Sequence, residues 1–96
     1  MVRIRHRSKR GAEAAFSLNA KPGKNVLLSG TLNRWDLRHG IVMKDQDGNG
    51  TYTCVLELEP GIYEYCFVVD GFLAADRENE RFVFNEFGTR NSVFEI

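Results

Sequence analysis

The sequence predicts an all-β fold, an immunoglobulin-like antiparallel β-sandwich of about seven strands. Three observations carry that expectation: short runs in which apolar and polar residues alternate, turn-forming residues between them, and no stretch with a convincing 3.6-residue apolar period. The runs are 14–20, 25–32, 51–58, 62–69 and 91–96, with weaker ones at 2–7 and 81–84. Six or seven short strands in a 96-residue chain suit a sandwich better than a barrel or an α/β fold.

The first run alternates Val2 and Ile4 with Arg3, Arg5 and Arg7, as a sheet edge guarded by charge would. Residues 1–13 therefore read as a basic N-terminal arm or edge strand, and 14–96 as the sandwich domain. Arg3, Arg5, Arg7, Lys9 and Arg10 have no acid among them, which leaves 8 basic against 13 acidic residues on the rest of the chain. Binding of phosphate or of an acidic partner is the alternative reading of that arm. The following runs place Phe16 and Leu18, then Val26 and Leu28, as core candidates, and the bend from Gly30 to Arg34 sets the next residue, Trp35, toward the rim.

Asp45-Gln46-Asp47-Gly48-Asn49-Gly50 imitates the first half of a calcium loop. The twelfth position is Leu56 where a bidentate Glu is needed, so a polar turn is the better reading. Thr51 to Leu58, the segment Glu59-Pro60-Gly61-Ile62 and the run that follows read as a hairpin. Proline then glycine signals a type II turn with positive φ at Gly61. Alternation puts Tyr52, Cys54, Leu56 and Leu58, with Tyr63, Tyr65, Phe67 and Val69, on one core face. Cys54 then points inward and Cys66 outward, which argues against a disulfide between them. Farther on, Phe82, Phe84 and Phe87 are large apolar residues expected to pack beneath a loop.

Composition narrows the function. With 43% hydrophobic and 27% charged residues the chain is an ordinary folded protein, and with 13 basic and 13 acidic residues it has no field to draw nucleic acid or an anionic membrane. No apolar run approaches the ~18 residues of a membrane span, and the apolar stretch after the basic start is interrupted by Glu13, Ser17 and Asn19. A soluble, cytoplasmic protein is expected. His6 and His39 have no sequence partner for a triad or metal site, and no glycine loop suits a phosphate. No enzyme activity, metal or cofactor is expected.

Three blocks in order carry a family pattern: Val26 to Trp35, Leu58 to Gly71 and Phe87 to Ile96. Together they resemble the early-set, family 48 carbohydrate-binding modules over residues 14–96. That group includes the glycogen-binding domain of AMP-activated protein kinase β subunits and the N-terminal domains of isoamylases and branching enzymes. The resemblance implies a non-catalytic sandwich that binds an α-glucan such as glycogen or starch.

In sugar-binding members, two tryptophans stack on glucose rings, a lysine reaches the hydroxyls and a Leu-Gly-Thr-x-Asn segment supports the chain. Stacking needs flat apolar faces flanked by a few polar groups. The resemblance maps Trp35 onto the first tryptophan, Phe87 onto the leucine, and Thr89 and Asn91 onto the polar pair, with Asn33 beside Trp35 at the rim. Leu73 stands where the second tryptophan would be, and Cys66 where the lysine would be. Losing one ring and one charged donor weakens binding by about 2–4 kcal/mol, roughly one to three decades. Phe72, Phe82 and Phe84 are near enough in sequence to supply a shifted platform. The rival expectation is a protein-interaction or regulatory module that docks on a glucan-handling enzyme or kinase without binding sugar.

Overall fold

The protein was analysed as a computed structural model, which describes residues 1–33, 40–86 and 88–96. Nine strands are present among those residues: β1 (Val2–Ser8), β2 (Gly11–Asn19), β3 (Val26–Gly30), β4 (Ile41–Met43), β5 (Thr51–Leu58), β6 (Ile62–Val69), β7 (Phe72–Ala74), β8 (Phe82–Phe84) and β9 (Arg90–Glu95). They form two antiparallel sheets packed as a sandwich. One has the order β1-β2-β5. The other has the order β4-β3-β6-β9-β8, with β7 added to β6 beyond the end of β9.

The two strands without a counterpart in the sequence reading, β4 and β7, are three residues each, too short to display a period. β7 is made by the turn before it. Asp70 and Gly71 have φ of 49° and 85°, the double positive φ of a two-residue type I′ hairpin, and Val69 pairs with Phe72 across it. The Asp70 carboxylate accepts a hydrogen bond from the Asn25 amide at 2.8 Å and an ion pair from Lys24 at 3.0 Å, tying this turn to the start of β3.

The segment between β5 and β6 departs from the expected hairpin. β5 pairs along its whole length with β2, whereas β6 lies in the other sheet between β3 on one side and β9 and β7 on the other. Glu59-Pro60-Gly61 is thus a corner between sheets, and Gly61 is not at positive φ. Its N–H donates to Ile96 at 3.0 Å and its carbonyl accepts from Ile96 at 2.9 Å, while the Tyr63 hydroxyl donates to the Glu59 carbonyl at 2.7 Å. A tyrosine hydroxyl bonded a few residues upstream is a known device for such corners.

The inward faces follow the alternation. Tyr52, Tyr65 and Phe67 are buried, and Cys54, Leu56, Leu58, Tyr63 and Val69 pack against them. Phe16, Leu28, Tyr65 and Phe67 are fully buried, each contributing roughly 1.5–3 kcal/mol of apolar burial. The rings of Phe16 and Tyr65 meet edge to face at 5.2 Å, and Phe94 meets Phe16 at 5.5 Å. At the centre of this cluster the Tyr65 hydroxyl donates to the buried Asp76 carboxylate at 2.6 Å. The N-terminal ammonium also reaches Asp76, at 2.5 Å.

β1 is the edge of the three-stranded sheet, with Arg3, Arg5 and Arg7 exposed and Val2 and Ile4 packed on the core. The β1–β2 register is irregular between Arg5 and Ser8, where His6 has φ of 56°, an edge feature that discourages further pairing. Asp45 tightens the polar turn before β5 by accepting from the amides of Asn49 and Gly50 at 3.1 and 2.7 Å. Its oxygens therefore serve the backbone of the turn.

Candidate carbohydrate site

Register places the site on the outer face of the larger sheet. Alternation along β6 sends Cys66 and Val68 away from the core, and the pairing of Val68 with Leu73 sets Leu73 on that same face. Farther along the same edge of β6, Glu64 pairs with Val93, so Asn91, two residues before Val93, also faces outward. Side chains from β6, β7 and β9 converge because β7 and β9 share one edge of β6.

A cavity of about 610 Å³ lies there, within the ordinary range for small-ligand sites. Four of the residues named from the sequence line it: Cys66, Leu73, Thr89 and Asn91. Ala74, Ala75 and Phe84 add apolar wall, and Asn85, Glu86 and Arg90 add polar groups. Asn33 does not line the cavity; its side-chain oxygen accepts from the Ser29 hydroxyl at 3.2 Å and the Gly30 amide at 3.0 Å, holding the bend after β3. Trp35 and Phe87 lie outside the described residues.

The polar side of the cavity is one connected network. Asn91 donates to Glu64 at 3.3 Å and accepts from Asn85 at 3.2 Å. Asn85 also donates to the Thr89 hydroxyl at 2.6 Å and accepts from the Thr89 amide at 3.1 Å. Asn85 is thus the hub of the β8–β9 loop, a role that the sequence reading missed. Its signal was there: an asparagine directly after an apolar run and three residues before Gly88, the arrangement of a side chain that caps a turn. Gly88, at φ of 78°, completes that turn.

Cys66 faces outward yet is only 4% exposed, at the base of the cavity. Burial pushes its thiol pKa up to about 11, so it acts as a small apolar surface at neutral pH. Cys54, also free, lies on the core side of the other sheet, and burial raises its thiol to about 11 as well. Phe82 and Phe84 do not pack beneath a loop as expected. They stand on the edge strand β8, 40% and 69% exposed, because β9 covers only one side of that strand.

The chain matches the family described as the glycogen recognition site of AMP-activated protein kinase over residues 15–96. It belongs to that family. It is also similar to 5′-AMP-activated protein kinase subunit beta-2 of Homo sapiens and of Mus musculus, with 30% identity over 74 residues, or 77% of this chain. Those 74 residues amount to about a quarter of each relative, 25% and 26%. Among solved structures, the enterobactin esterase of Shigella flexneri superposes with a TM-score of 0.77 over 99% of this chain and 32% of its own. At 12% identity that likeness concerns the fold alone. Among the described residues, no helix is long and apolar enough to cross a membrane, and no cluster of His, Cys, Asp and Glu could hold a metal ion.

Proposed function

We propose that this chain is a non-catalytic, cytoplasmic module that binds an α-glucan such as glycogen or starch in the cavity between β6, β7 and the β8–β9 loop. The observation that carries the reading is convergence: Leu73, Cys66, Thr89 and Asn91 come from three parts of the chain and line one cavity, in a chain of a glycogen-recognition family. Leu73, Ala74 and Ala75 offer the apolar contact that the C–H face of a pyranose needs, and Thr89, Asn85 and Asn91 offer amide and hydroxyl partners for its hydroxyls. Trp35 and Phe87 are assigned to the same site from the sequence pattern, with Asn33 supporting the bend that leads to Trp35.

Binding is open-sided and weak compared with members that keep a tryptophan and a lysine at the positions of Leu73 and Cys66. Titration with maltoheptaose, followed by the fluorescence of Trp35, is expected to saturate between roughly micromolar and millimolar sugar. No change at several millimolar overturns the reading. The exposed Phe72, Phe82 and Phe84 favour a second reading, docking on a glucan-active enzyme or kinase. Partner capture that survives Trp35→Ala, without retention on starch, would support docking in place of sugar binding.

A further inference from the structure

We infer that Glu64 makes the site selective for neutral α-glucan over phosphate-bearing α-glucan. The inference rests on the glucan reading of the cavity and names the class of sugar that it takes.

Glu64 is tied to both parts of the site. It pairs with Val93, so its side chain leaves β6 on the outer face, two residues from Cys66. Its carboxylate accepts from the Asn91 carboxamide at 3.3 Å, which puts it one hydrogen bond beyond the cavity wall. Its backbone is held by Thr31, whose hydroxyl accepts from the Glu64 amide at 3.1 Å and donates to the Glu64 carbonyl at 3.4 Å. Thr31 opens the bend that leads in sequence to Trp35.

The charge decides what such a position admits. A carboxylate only accepts hydrogen bonds, so it suits a sugar hydroxyl and repels a phosphate. Among the described residues, no cation lies within ion-pair distance of the half-buried Glu64. Glu86, which lines the cavity, has the same sign. Arg90 also belongs to the lining, but its pairing with Phe84 sets its side chain on the face of β8–β9 away from Asn91, where its guanidinium covers the Phe82 ring at 3.9 Å. Arg81 lines a separate hollow beside Val2 and Ile4. A group bonded to Asn91 lies about 6 Å from the Glu64 carboxylate, two hydrogen-bond lengths, which is inside one Debye length at physiological salt. A phosphate there meets that charge incompletely screened.

The test measures one ratio, the dissociation constant for maltoheptaose carrying phosphate on its primary hydroxyls over that for maltoheptaose itself. It is taken by calorimetry for the 96-residue parent chain, Glu64→Gln and Glu64→Lys, after circular dichroism and a thermal melt establish that each is folded. Glutamine keeps an acceptor for Asn91 and removes the charge, so a merely structural role for Glu64 leaves the ratio where it was. The expected result is a parent that prefers the neutral sugar, a ratio roughly 3- to 10-fold smaller in Glu64→Gln, and a further fall in Glu64→Lys. The preference of the parent should also shrink as salt is raised. A parent without preference for the neutral sugar, or a ratio unchanged in Glu64→Gln, overturns the inference and leaves the glucan reading standing. Absence of maltoheptaose binding by the parent overturns the glucan reading and this inference with it.

Discussion

Replacing Tyr65 by phenylalanine isolates the polar centre of the core from its packing. The ring stays, with its edge contacts to Phe16 at 5.2 Å, Phe94 at 5.6 Å and Phe67 at 5.8 Å. What goes is the hydroxyl that donates to Asp76 at 2.6 Å and accepts from Asn79 at 3.3 Å. Burial, reinforced by the hydrogen bond to the Asp76 carboxylate, holds the phenol far above its ordinary pKa, so it remains a donor across the working pH range. The Asp76 side chain is only 2% exposed, and water cannot readily replace that donor. A hydrogen bond to a buried charged group contributes about 1.5–3 kcal/mol, and Asn79 retains its second acceptor, the Val93 carbonyl at 3.1 Å. The expected loss is therefore about 2 kcal/mol, or roughly 8–16 °C in melting temperature for a domain of this size. Urea denaturation should show a lower midpoint with an unchanged slope. A loss under about 0.5 kcal/mol would refute the reasoning, since Asp76 would then be satisfied without the tyrosine.

Three other outcomes follow from the same geometry. Asn85→Ala removes the hub that links Thr89 to Asn91; a loss of about 1–3 kcal/mol in stability and weaker maltoheptaose binding are expected, measured by denaturation and calorimetry. Asp70 has its pKa lowered by the Asn25 amide and then by Lys24, so its contribution is complete above the ordinary carboxylate pKa of about 3.9 and disappears as pH falls through the lower folded value. Melts between pH 5 and 2 should therefore show a decline that is smaller in Asp70→Asn. Cys54 and Cys66, both buried enough to raise their thiols to about 11, should resist a thiol reagent at pH 8 until denaturant is added.

The inward set was legible because alternation is a property of each strand by itself. Tyr52 and Tyr65 face the same core whether their strands are hydrogen-bonded neighbours or lie in opposite sheets. For the same reason, alternation could not reveal that β5 and β6 belong to different sheets. That depends on which edges β2, β3 and β9 occupy, a tertiary outcome that Pro60 and Gly61 do not encode. The exposure of Phe82 and Phe84 is likewise a question of edges: an apolar three-residue run reads alike whether it is covered or not. At the site, the family pattern named four residues that line one cavity and sequence proximity had named Phe84, whereas Asn85 became visible only once β8 was seen against β9. Asn33 was assigned to the rim by proximity to Trp35, but its carboxamide is engaged with Ser29 and Gly30.

The most direct test of the account is a heteronuclear NMR titration of the 96-residue chain with maltoheptaose, following every assigned backbone amide. Sugar binding in the cavity requires saturable shifts concentrated at Cys66, Leu73, Phe84, Thr89 and Asn91, with little change along β1, β2 and β5. Shifts confined to the opposite sheet, or none at several millimolar sugar, would contradict it.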